Sequence, residues 1–155
     1  RNRRSGTENV PGIAGMAAAL TASVAALDTE MPRLTALRDR LISGLLTIPR
    51  SRLTGHPTQR LPGTASMIFE CIEGESLLLR LDALGICSST GSACSSSSLE
   101  PSHVLIAMGL PHEIAHGSLR LSLGAENTEE DVDYLIESVK TVVAQLRELS
   151  PIWAA

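Results

Sequence analysis

The stretch SLRLSLGAENTEEDVDYLIESVKTVVAQLREL, residues 118–149, changes its hydrophobic period once, and that change indicates the fold. Over residues 118–123, Leu119, Leu121 and Leu123 share one face while Ser118, Arg120 and Ser122 share the other, the period of two of a half-buried strand. Thr128-Glu129-Glu130-Asp131 then has the form of a capping box, with Asp where Glu or Gln is usual. Its carboxylates sit at the positive end of a helix dipole. Beyond it, Val132, Leu135, Ile136, Val139, Val143, Leu146 and Leu149 recur at helical spacing until Pro151 stops them. A strand with one apolar face beside a helix with one apolar stripe calls for a layered α/β or α+β arrangement.

Upstream, residues 10–48 are helical in pattern: Leu20, Val24, Leu27, Met31, Leu34, Leu41 and Leu45 fall on one face. Pro11 suits a first turn, Pro32 is expected to kink or divide the segment, and Gly44 and Pro49 to end it. Residues 53–63 read as loop, punctuated by Gly55, Pro57, Pro62 and Gly63. Residues 65–71 alternate as a strand, with Ala65, Met67, Phe69 and Cys71 on one face. Residues 74–84 form a short helix closed by Gly85, residues 86–88 a short strand, and residues 102–108 a helix closed by Gly109. No internal repeat is present.

The chain of 155 residues has the length of one domain and can bury a core without staples. With 43% hydrophobic and 2% aromatic residues, that core is aliphatic. A formal charge of −4 argues against a nucleic-acid binder; the one basic cluster, Arg1, Arg3 and Arg4, reads as a solvated terminus. Three cysteines with no CxxC pair and no signal peptide fit free thiols in a reducing compartment, hence a cytoplasmic protein. No apolar run approaches the ~20 residues of a membrane span. The chain opens without Met and in mid-motif, as expected of a piece of something longer.

Four features carry potential chemistry. Cys94 sits in SSTGSACSSSSLEPSHVL, residues 88–105, with only Ala93 as an apolar neighbour. It is either a reactive thiol or an incidental cysteine in a polar linker, and composition does not choose between attack, sulfur carriage and redox sensing. Cys71 and Cys87 lie in strand patterns and read as core. Arg120 projects from the polar face of its strand, suited to a carboxylate or phosphate, or equally to solvent. Residues 4–9, RSGTEN, precede a long helix, where Gly6, Thr7 and Asn9 either cradle an anion or cap the helix. His112-Glu113-Ile114-Ala115-His116 matches HExxH, but Pro111 and Gly117 leave barely one helical turn and no third ligand has a recognisable spacing. No metal is expected there.

In this order, RRSGTENVPGI, GSACSSSSLEPSHVL, AHGSLRLSLGAENTEEDVDYLIESV and VAQLRELSPIW resemble the C-terminal part of a cysteine desulfurase of the nitrogen-fixation, NifS-like type, a class-V aminotransferase. The resemblance implies a homodimeric pyridoxal-phosphate enzyme of the aminotransferase-like fold. Such an enzyme converts L-cysteine to L-alanine and passes the sulfur, as a persulfide, to an iron–sulfur scaffold protein. It implies Cys94 as the nucleophile and persulfide carrier, Arg120 as the grip on the substrate α-carboxylate, and Thr7 as a contact to the cofactor phosphate of the partner subunit. Residues 1–155 would then be the small domain with its connecting helix. Two departures stand out: Ser97 replaces a usual Gly, and the cofactor lysine with its preceding His is absent, the only lysine being Lys140. The large cofactor domain is therefore expected outside this chain, and the chain alone is expected to be inactive. A selenocysteine lyase on the same scaffold, a non-catalytic sulfur-carrier or docking module, and a zinc hydrolase are the competing readings.

Overall fold

The computed structural model describes residues 5–90 and 101–153. Its elements run α1 (Val10–Ala25), α2 (Leu27–Leu45), β1 (Ser51–Leu53), β2 (Thr64–Phe69), α3 (Gly74–Asp82), α4 (His103–Ala107), α5 (His112–Ala115), β3 (Ser118–Ser122) and α6 (Glu129–Glu148). The strands form one antiparallel sheet in the order β1-β2-β3. Met67 of β2 pairs with Leu119 of β3 and with Leu53 of β1. The small sheet with helices packed on it is the expected α/β, α+β-type arrangement.

The alternation read in residues 118–122 is the alternation the structure buries. Leu119 and Leu121 join Ala65, Met67 and Phe69 in the main core, while Arg120 is exposed. Leu41 and Leu45 of α2, Leu77 and Leu81 of α3, and Val132, Val139 and Val143 of α6 cover that face. Ile68 points the other way and is still fully buried; it, Leu105 and Ala115 lie outside that cluster, where α5 meets β2. The Thr128 hydroxyl accepts from Asp131 N and the Asp131 carboxylate accepts from Thr128 N, so the capping box forms with Asp in place of Glu. Gly85 takes φ +77, and the bonds Gly85 N to Asp82 O and Ile86 N to Leu81 O close α3 as a left-handed cap.

The structure corrects four sequence expectations. The long helical segment breaks at Ala26, where α1 and α2 diverge by 75°, and Pro32 lies inside α2. A proline lacks an N–H and crowds the carbonyl four residues earlier. For Pro32 that carbonyl belongs to Asp28, the second residue of α2, so the disturbance falls at the helix start. As a result, the apolar face divides: Leu41 and Leu45 enter the core, whereas Leu20, Val24, Leu27 and Met31 are exposed, and α1 has no buried residue. Gly44 is not a terminator but the point where α2 approaches α6; a Cβ there would come 2.5 Å from Ile136 Cδ1. Cys71 follows β2 with φ +65 and is half-buried, and Cys87 is exposed, so neither is a core residue. Finally, β1 was not anticipated, and its last residue, Leu53, falls in the stretch read as loop; three residues are too few to show a period. No single helix among the described residues is long and apolar enough to cross a membrane.

Two contacts tie the sheet together. Gly117 O accepts from Phe69 N at 2.9 Å, and a Cβ on Gly117 would lie 2.1 Å from Phe69 O. Gly117→Ala must therefore push β3 away from β2, at a cost of about 2 kcal/mol. Urea unfolding should show a clearly lower midpoint, and an unchanged one contradicts this packing. Glu70, just beyond β2, accepts from Arg52 of β1 and from Arg50 Nε at 3.1 Å. The bond from Arg52, then that from Arg50, holds the Glu70 carboxyl below its ordinary value against the opposing effect of burial. A depressed carboxyl stabilises the fold above its unfolded value of about 4.3 and loses that contribution as pH falls through the lower folded value. The arginines are half exposed, so the contribution is at most about 1 kcal/mol. Thermal midpoints of Glu70→Gln and the parent should differ at pH 7 and converge in acid.

Candidate functional site

Arg120 occupies the middle of β3, held on both sides. Its strand pairs with β2, where Ser66 is its partner, and an isolated antiparallel bridge joins it to Ser89 on the other side. Arg120 N donates to Ser89 O at 2.6 Å, and Ser89 N donates to Arg120 O at 3.1 Å. The Ser89 hydroxyl donates to Thr90 O at 2.8 Å. The residue whose side chain emerges on the polar face of the sheet thus has a backbone fixed by neighbours on both edges.

Among the described residues, Arg120 is the one arginine whose side chain makes no hydrogen bond within the chain. Arg33, Arg40, Arg50 and Arg52 bind carboxylates. Arg38 binds Asp39 and Leu61 O, Arg60 binds Thr54 O, and Arg80 binds Gln145. Arg147 binds Glu70 O at 3.1 Å and lies 4.3 Å from the Trp153 ring centroid. No carboxylate among the described residues pairs with Arg120. A planar, five-donor cation on a rigid strand without an internal acceptor is built to take a carboxylate or phosphate from outside.

The segment bridged to Arg120 runs directly into residues 91–100. Cys94 lies in that segment, outside the described residues, as do Ser97 and the Arg1, Arg3 and Arg4 cluster. In sequence Cys94 follows Ser89 by five positions. Ser89 is the functional neighbour that sequence reasoning missed: the short strand expected at residues 86–88 is one bridge, placed at Ser89 instead. Alternation over three residues gave too weak a signal to fix its register.

Thr7 lies exposed, three residues ahead of α1, in a segment where Gly6 takes φ +86 and has open space around it. The Asn9 side chain accepts from Gly12 N at 3.1 Å and caps α1. Thr7 precedes α1, whereas Arg120 lies in the middle of β3. His112 and Glu113 lie on the four-residue α5 and His116 caps it, both histidines being exposed. Among the described residues, no three His, Cys, Asp or Glu side chains gather as a metal site. Lys140 lies on α6 with Nζ 2.8 Å from Glu137 Oε1.

A wide groove of about 790 Å³ lies elsewhere, lined by Cys71, Leu79, His116, Leu149 and Ile152 among others, and includes neither Arg120 nor Thr7. Burial holds the nearby Arg147 below the usual arginine value, with Cys71 opposing that shift.

Comparison with known proteins relates the whole chain to a family. The chain is 60% identical over 152 residues to the cysteine desulfurase IscS of Methanosarcina thermophila, covering 98% of this chain and 38% of that protein. It is 48% identical over 155 residues to the cysteine desulfurase NifS of Azotobacter vinelandii, covering 99% and 39%. A solved NifS-like protein superposes with a TM-score of 0.80 at 37% identity over 92% of this chain and 36% of its own. Another, from Rickettsia africae, gives 0.79 at 30% identity over 91% and 36%. The chain therefore spans well under half the length of these relatives. Residues 1–135 match the aminotransferase class-V family, and to that family the chain belongs.

Proposed function

We propose that the chain is the small domain and connecting helix of a cysteine desulfurase, which takes sulfur from L-cysteine and leaves L-alanine. The observation that carries this is Arg120, the arginine left without an internal partner, on a strand bridged to the segment that leads to Cys94. Five residues of chain extend at most about 18 Å, so the thiol and the guanidinium can serve one small substrate. Arg120 grips the α-carboxylate in a bidentate fork and fixes the direction of the substrate's side chain. The Cys94 thiolate attacks the substrate sulfur: an S–S bond forms, the carbon–sulfur bond breaks, and its electron pair goes to carbon, which is protonated as alanine. The sulfur remains on Cys94 as a persulfide for an iron–sulfur scaffold protein.

Pyridoxal phosphate, when bound, supplies the electron sink that weakens the substrate's carbon–sulfur bond. The residues here fit part of its site. The open turn at Gly6 and the Thr7 hydroxyl ahead of α1 suit a phosphate, reached in the partner subunit of a homodimer. Lys140, bonded to Glu137 on α6, is not placed to hold the cofactor, so that lysine and the large domain lie in another part of the polypeptide. The intact enzyme is cytoplasmic.

In the intact enzyme, Cys94→Ser should abolish the persulfide seen by mass spectrometry after cysteine is added, while Cys71→Ser and Cys87→Ser retain it. A persulfide surviving Cys94→Ser but lost in Cys87→Ser would show that the wrong thiol was assigned. The 155-residue chain mixed with pyridoxal phosphate and L-cysteine should release no alanine; sustained turnover by this chain would contradict the division of the site. Cysteine and selenocysteine compared as substrates separate a desulfurase from a selenocysteine lyase.

A further inference from the structure

The hinge end of α2 is not held by apolar packing. Its first buried residue is Leu37, and the earlier Leu27 and Met31 are each 44% exposed. Among the described residues, the guanidinium of Arg33 fastens it by hydrogen bonds. Arg33 donates from Nε and Nη2 to the two oxygens of Glu30 at 3.3 and 2.8 Å. The same group donates to three backbone carbonyls of the turn between β3 and α6: Asn127 O at 2.8 Å, Ala125 O at 2.9 Å and Gly124 O at 3.3 Å.

That turn is rigid. Asn127 Oδ1 accepts from Gly124 N at 2.8 Å, Asn127 N donates to Gly124 O at 3.2 Å, and Leu123 N donates to Gly63 O at 2.7 Å. The turn begins two residues after the end of β3 and stops at the Thr128 cap of α6. Arg33 thus fastens the base of the α1–α2 arm to the exit of the Arg120 strand. α1 leaves that base at 75° and carries the Thr7 segment at its far end.

We infer that Arg33 is a positioning residue: by clamping the 124–127 turn to the start of α2, it sets Arg120 in register with the arm that carries Thr7. This rests on the reading of Arg120 as the carboxylate grip. Lysine cannot replace it, because one ammonium lacks the planar fork whose three nitrogens serve these five acceptors.

The test compares Arg33→Ala, Arg33→Lys and Arg120→Lys in the intact enzyme, by steady-state kinetics with L-cysteine and by retention of pyridoxal phosphate on gel filtration. Displacing a binding group by a fraction of its working geometry costs on the order of ten-fold or more in productive binding. Both Arg33 variants should therefore raise KM roughly ten-fold with kcat changed less than about two-fold, and lose cofactor faster than the parent. A merely structural role would lower the active fraction and kcat while leaving KM unchanged, and that result overturns the inference. Should Arg33→Ala not fold, Arg33→Lys decides by the same criterion. Unchanged KM in Arg120→Lys overturns the carboxylate grip and this inference with it. Raised KM in Arg120→Lys with unchanged KM in the Arg33 variants overturns the positioning role alone.

Discussion

The alternation of β3 ties the stability of this fold to its chemistry. Leu119 and Leu121 are locked into the core between β2 and the helices, and with a period of two this leaves Arg120 no choice of face. A slip of one residue would put the guanidinium into an aliphatic core and two leucines into water, a change the core excludes. The same strand is gripped on its other edge by Ser89, so the pairing that builds the sheet also fixes the entry to the Cys94 segment. The carboxylate-binding role proposed for Arg120 follows from this: every other arginine among the described residues has at least one side-chain hydrogen bond inside the chain, and Arg120 is held still without one.

The remaining charges support the scaffold. Arg50 and Arg52 converge on Glu70, and Arg147, buried against Trp153, binds the carbonyls of Glu70 and Arg50, closing the outer end of the sheet. Arg40 binds Asp133 of α6 through both nitrogens of its fork, at 2.6 and 2.7 Å. Exposed pairs of this kind contribute little each, so the aliphatic core carries the stability and the charges set register. Among the described helices only α1 stands apart, with 16 residues and none buried.

Much of this was legible in the sequence, and where it was not the reason is physical. β3 and α6 were readable because each buries one face, so their periods survive in the residues themselves. The capping box was readable because a hydroxyl and a carboxylate three positions apart satisfy the same two backbone donors whether the acid is Glu or Asp. β1 was invisible because three residues carry no period. The bend was misplaced because a proline acts on the turn before it, and Leu20, Val24, Leu27 and Met31 continue the apolar spacing across the break at Ala26. Cys71 was misassigned because a strand pattern was extended past Phe69, its last paired residue, and Cys87 because the strand expected at residues 86–88 is a single bridge at Ser89. The lack of a partner for Arg120 could not be read at all, since it depends on where the eight other arginines among the described residues find theirs.

The most direct test measures carboxylate recognition itself. The ratio of kcat/KM for L-cysteine to that for cysteamine, which lacks the carboxylate, should be large in the intact enzyme. In Arg120→Ala it should fall by about two orders of magnitude, as expected when a charged pairing is removed from a site built to make it. A ratio unchanged by Arg120→Ala would contradict the assignment of this arginine.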